Sequence, residues 1–355
     1  MRRGTREIAL VSTLLAGCLP ELERYEGEHI LYEHSASLEV CAGTVDYLDG
    51  LIPFLSEQLG VPTPERIRYS WLTQADREAL TGSLLRENVG GHAVGYHAVS
   101  YYDPALVHEI VHTLMTPHET LSFFAEGLAY AYDDLVRRQR IDDMRRELVD
   151  PRPLMLLEAR ELDYAQAGSF VYFLIARHGV APFLTLYARL DRPAQLGRIR
   201  ALFREVYGVD LDEEVERYLS GVRSCDEEHF DVLAARCPAP VLPWRGEAWV
   251  FADVMACDAP GVVGGSTYWV ELPEFRVTTL EIPQTGIYEI SSAVDGDLVA
   301  RITACFGCPW DSLDGRLDPW PRKYKLSAGR YRVQVEGEAD AGARFSVVVR
   351  PVDAK

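Results

Sequence analysis

The sequence predicts an α+β region followed by an all-β sandwich. Three observations predict it. A chain of 355 residues exceeds a single typical domain of roughly 100–200 residues. Up to residue 221, strand-like runs give way to long stretches with helical periodicity. Beyond residue 243, short apolar or alternating runs recur between Gly, Pro and Asp, the texture of a sandwich.

Taken in order, residues 1–18 begin with Arg2, Arg3 and Arg6, continue through an apolar run at 8–15 and end in Ala16-Gly17-Cys18, the layout of a secretory signal. The apolar run is too short to span a bilayer. Leu15-Ala16-Gly17-Cys18 resembles a bacterial lipobox, which implies cleavage and lipid attachment at Cys18. The expected setting is therefore a membrane-anchored lipoprotein of the cell envelope, or an extracellular protein. Residues 19–29 are acidic and read as a tether. A strand at 29–32, a helix over 43–59 stopped by Gly60, and strands at 67–72 and 93–102 make an α/β subdomain, 30–103. Residues 104–221 read as mostly helical, with a break at Asp150-Pro151-Arg152-Pro153. Residues 222–243 hold Cys225, Cys237 and several Pro, and read as a stapled linker. The sandwich, 244–355, has expected strands at 248–251, 268–272, 275–282, 286–291, 298–304, 330–336 and 343–349.

The helical region opens on His108-Glu109-Ile110-Val111-His112. Positions i and i+4 share a helix face, so His108 and His112 can present ring nitrogens to one metal ion, with Glu109 beside it. Val107, Ile110, Val111 and Leu114 fill the other faces, as a buried helix requires. Residue types and spacing point to Zn2+ held by the histidines, with Glu109 taking a proton from the water that zinc acidifies.

Two residues compete for the third ligand position. His118 completes the H-E-x-x-H-x-x-G-x-x-H spacing of metzincins, but Met115 stands where that pattern has its turn-forming Gly, and Pro117 precedes it. Glu126 opens a second helix-forming run, in Phe124-Ala125-Glu126-Gly127-Leu128-Ala129, able to pack on the first. Turn chemistry favours Glu126, with His118 in a loop.

His108, Glu109, His112 and Glu126, with the Glu126-Gly127-Leu128-Ala129 context, resemble a gluzincin of the MA clan of zinc metallopeptidases. The segment from Tyr164 to Leu174 is similar to the helical subdomain of bacterial members, and the likeness spans roughly residues 30–220. It implies a zincin-like catalytic domain that hydrolyses peptide bonds, acting on a peptide or protein substrate. It also implies that the strand before the zinc helix borders the cleft, where an extended substrate pairs with its edge. Tyr164 is the candidate to stabilise the oxyanion, with weaker claims for Arg160, Arg177 and His178. Two other readings stand beside it: a cell-surface binding protein with a structural or degenerate zinc site, and a zinc hydrolase acting on a non-peptide amide.

Leu326-Ser327-Ala328-Gly329-Arg330-Tyr331-Arg332-Val333-Gln334-Val335, with Phe345-Ser346-Val347, resembles the ending of the pre-peptidase C-terminal type of appendage. The sandwich shows no chemistry of its own. Asp295, Asp297, Asp311, Asp314 and Asp318 sit in turn-like stretches, where Asp serves the backbone.

A formal net charge of −18 without a basic patch argues against nucleic acid and anionic membrane surfaces as partners, leaving the lipid at Cys18 as the expected membrane contact. Six cysteines besides Cys18 make disulfides the default in an exported chain, and Cys305-Phe306-Gly307-Cys308 reads as a local bridge.

Overall fold

The computed structural model describes residues 21–81, 91–101, 103–118, 120–133, 148–193, 195–220, 239–266, 273–305, 317, 319–338 and 342–352. It is an α+β N-terminal part with a helical subdomain, followed by antiparallel sheets that form a sandwich. The signal and Cys18, the cysteines of the 222–243 linker, the expected strand at 268–272 and Cys308 lie outside the described residues.

The first sheet has the order β1-β2-β4-β6-β5, with β1 at Leu22–Glu26, β2 at Ile30–Ser35, β4 at Ile67–Trp71, β5 at Gly91–Val94 and β6 at His97–Ser100. Strands β2, β4 and β6 run parallel, and antiparallel β1 and β5 close the two sides. Two expectations are corrected here. Residues 22–26, inside the segment read as an acidic tether, are a strand, because they pair antiparallel with β2 from Leu22 opposite Ser35 to Glu26 opposite Leu31. The single strand expected at 93–102 is a hairpin, because Gly95 turns the chain at φ 57° and brings Ala93 opposite Ala98.

Helix α1 (Thr44–Leu59) lays Leu48, Leu51, Ile52 and Leu55 on this sheet and ends where Gly60 adopts the left-handed conformation. Helices α2 (Gln74–Thr81), α3 (Val107–Met115) and α4 (Ser122–Asp133) follow. The Asp150–Pro153 stretch expected as a break begins a short helix instead, α5 (Pro151–Leu154). Asp150 accepts from the Arg152 N–H and proline occupies the first turn, where its missing N–H costs nothing. Helices α6 (Tyr164–His178), α7 (Val180–Tyr187), α8 (Leu196–Tyr207) and α9 (Leu211–Leu219) complete the subdomain. Phe170 and Phe173 of α6 pack against Tyr218 of α9 in its core.

The sandwich pairs β12-β10-β14-β7 with β11-β13-β9, where β7 is Trp249–Met255, β9 Glu274–Ile282, β10 Gly286–Val294, β11 Val299–Ala304, β12 Arg322–Leu326, β13 Gly329–Gly337 and β14 Ala343–Pro351. Alternate residues such as Tyr331, Val333 and Val335, and Phe345, Val347 and Val349, face its core.

This module is stitched to the first domain. Strand β3 (Glu39–Val40) pairs with β8 (Gly265–Ser266), Thr44 Oγ1 donates to the Gly264 carbonyl at 2.9 Å, and Val263 and Phe275 enter the first domain's core. Cys41 is disulfide-bonded to Cys257 across 216 residues. Closing a loop of that length removes on the order of 5 kcal/mol of chain entropy from the unfolded state in the loop-closure model. Disulfides form and persist mainly in oxidising compartments. Cys305 is disulfide-bonded as well. Among the described residues no helix is long and apolar enough to cross a membrane.

Candidate metal centre

Two stacked tyrosines of the sheet set where α3 begins. Tyr32 and Tyr69 are fully buried with ring centroids 5.3 Å apart. Tyr32 Oη donates to the Pro104 carbonyl (3.0 Å), and Tyr69 Oη donates to the Asp103 carbonyl (2.9 Å) and accepts from the Leu106 N–H (2.8 Å). Asp103 in turn accepts from the Ala105 N–H through its side chain. The loop before α3 is thus gripped at several backbone positions by groups that would be costly to leave unpaired in a core. Nothing in the strand sequences marks these tyrosines for that task.

From that anchor α3 buries Val107, Ile110, Val111 and Leu114, and its edge turns His108 and His112 toward α4. The Nε2 atoms of His108 and His112 are 3.1 Å apart, and each is 3.1 Å from Glu126 Oε2. Three lone-pair donors therefore converge on one point, and a cation there satisfies all three at once. Tetrahedral zinc with bonds of about 2.0–2.2 Å sets its ligand atoms roughly 3.3–3.5 Å apart, within a few tenths of the observed spacing. The donor set and its spacing fit a metal ion. Burial would raise the Glu126 carboxyl, but hydrogen bonds and charge from both histidines outweigh it and hold the pKa at about 2, so Glu126 is a carboxylate.

Glycines bring these elements close. A Cβ at Gly127, next to Glu126, would lie 2.6 Å from Val171 Cγ2 and 2.9 Å from the Ala167 carbonyl, so α6 packs directly on the α4 backbone. Gly168 makes the reciprocal approach to Tyr130. The Glu-Gly pair thus positions the carboxylate and, through α6, Tyr164. Asp163 caps α6 by accepting from the Ala165 and Gln166 N–H groups, and Tyr164 stacks its ring on His108 at 5.9 Å and 5°. Burial, then the charges of Glu126 and Glu109, push the Tyr164 phenol up to about 12, which keeps it a hydrogen-bond donor at neutral pH.

Glu109 is 5% exposed and stands apart from the ligand group. Its carboxylate rests against the edge of β5: a Cβ at Gly91 would lie 2.7 Å from both Glu109 Oε1 and the Val99 carbonyl. Only glycine fits there. Gly91 went unnoticed in the sequence because its role depends on a partner eighteen positions away.

These groups line one cavity of about 910 Å3, walled by the β5 edge on one side and by the Ala159–Glu161 turn, α6 and Tyr187 on the other. Tyr187, also unpredicted, is buried, and burial together with the Glu126 charge pushes its phenol well above the ordinary range. His118 lines the cavity but does not join the ligand group. Arg160 is in the wall. Arg177 and His178 are not: both pair with the buried Glu214, tying α6 to α9. His97 accepts or donates a 2.8 Å bond with Ser70, and His92 one of 2.6 Å with Tyr101.

No protein-family model matches the chain, and a search of curated proteins finds no match. What the chain does must therefore be argued from this centre.

Proposed function

We propose that the chain is a zinc-dependent metallopeptidase of gluzincin type, in which His108, His112 and Glu126 hold the metal. One observation supports this above the others. The converging triad and the separate carboxylate of Glu109 open into the same cavity, beside the outermost strand of the sheet among the described residues. A purely structural metal site has no use for an extra buried base.

When bound, zinc supplies Lewis acidity, polarising a carbonyl and bringing the pKa of a water to about 7. Glu109 would take a proton from the attacking water and later deliver it to the leaving amine nitrogen. Its packing against Gly91 limits the positions its carboxylate can adopt, so little orientation remains to be lost at reaction. Tyr164, kept protonated, donates to the carbonyl oxygen as negative charge develops there. Strand β5 pairs with an extended peptide through its backbone, a mode that tolerates many side chains. The Cys41–Cys257 bond supports an exported location, and attachment through a lipid on Cys18 completes the proposed setting.

The zinc-loaded chain is expected to cleave members of a mixed peptide library, to stop when a chelator strips the metal and to resume when zinc is returned. Protein holding one tight zinc that cleaves nothing in the library would overturn the peptidase reading. Tyr164→Phe is expected to lower kcat about 10²-fold with KM and zinc content little changed, the cost of one lost donor to the oxyanion. A fall of less than threefold removes Tyr164 from that role.

A further inference from the structure

Of the two arginines lining the cavity among the described residues, one has no ion-pair partner. Arg192 is held by Glu158 at 2.6 Å and by Ser122 at 2.7 Å, and Asp191 is paired with Arg198. Arg160, by contrast, lines the cavity, is exposed and makes no ion pair among the described residues. Glu158, just before it in the chain, is paired with Arg192, and Asp191 of the cavity wall with Arg198. In a chain of net charge −18, a cation left unpaired at the wall of the metal cavity stands out.

We propose that Arg160 makes the cavity select substrates that present a carboxylate a few residues from the scissile bond. This specificity rests on the peptidase reading above. A guanidinium offers paired N–H donors in the geometry of a carboxylate, and few other groups could use that fork. The Ala159–Glu161 turn places Arg160 four residues before Tyr164, whose ring stacks on His108. Four residues span at most about 14 Å, and an extended peptide advances about 3.3 Å per residue. That upper bound matches the length of about four extended substrate residues, the range over which a carboxylate is sought. It can come from an Asp or Glu side chain or from the substrate's own C-terminus.

Paired peptides decide between these sources. Glu against Gln and Asp against Asn are placed at each position in turn, each peptide made with a free or an amidated C-terminus. The zinc-loaded chain is expected to prefer the carboxylate member about tenfold in kcat/KM at low salt, mainly through KM, the preference shrinking as ionic strength rises. Arg160→Ala should erase the preference, and Arg160→Glu should turn it toward Lys and Arg. A preference confined to side chains, or to the free C-terminus, names the source. Equal rates for every pair would overturn the proposal while leaving peptidase action intact. Binding of the same peptides to zinc-loaded Glu109→Gln protein, followed by fluorescence anisotropy, separates the two claims. Carboxylate-selective binding that Arg160→Ala abolishes, together with zinc-loaded parent protein that cleaves none of the peptides, sustains Arg160 and sinks the peptidase; unselective binding sinks Arg160.

Discussion

Glu109→Gln will keep its metal and lose turnover. The substitution changes one oxygen to an amide nitrogen at nearly constant shape, in a pocket closed by Gly91, so neither the fold nor the His108, His112 and Glu126 triangle is disturbed. What disappears is the only function assigned to that side chain, accepting a proton and returning it. General acid–base groups contribute typically 10²–10⁴-fold, and Glu109 serves in both directions, so kcat is expected to fall by about 10³-fold or more. Metal content by atomic absorption and single-turnover cleavage, measured on one preparation, check this together. Zinc-loaded Glu109→Gln protein working within tenfold of the parent would show that another group moves the proton.

Glu126→Ala will lose the metal while His118→Ala retains it. Glu126 Oε2 stands 3.1 Å from both histidine nitrogens, whereas His118, although in the same cavity wall, is outside the group. Loss of an outer-shell partner costs about 10–100-fold in metal affinity, so loss of a ligand itself is expected to exceed 100-fold. Competition against a chelator of known affinity reads the difference, with far-UV circular dichroism to check that both variants stay folded. Tight zinc in Glu126→Ala together with weakened zinc in His118→Ala would reverse the assignment.

The His108, His112 and Glu126 group was readable in the sequence because each half of it lies within one helix. His108 and His112 are placed by the period of α3 alone, and Glu126 by the second helix-forming run. Gly127 was readable only as context; its use is the close approach of α6, a contact made by residues forty positions later. Tyr164 stood out only through a resemblance, since a helix-opening tyrosine is otherwise indistinguishable from a core aromatic. Gly91 and Tyr187 were missed for the same reason: each meets the centre from an element distant in sequence. The 93–102 run reads as one strand because Val94 stands on one side of Gly95 and Tyr96, Val99 and Tyr101 on the other, and the pairing of β6 with β4 on one side and β5 on the other shows the glycine to be a turn.

Periodicity and turn residues, then, determined by themselves the α+β character, the helix carrying His108 and His112, its carboxylate partner and the alternating strands of the sandwich, since all of these follow from local repeats of 3.6 and 2 residues. Tertiary structure decided what local repeats cannot encode. It set Glu109 against the β5 edge, used Tyr32 and Tyr69 to anchor the start of α3, and joined Cys41 to Cys257 across 216 residues. Each of these is a contact between surfaces, and which surfaces meet is settled by packing the whole core.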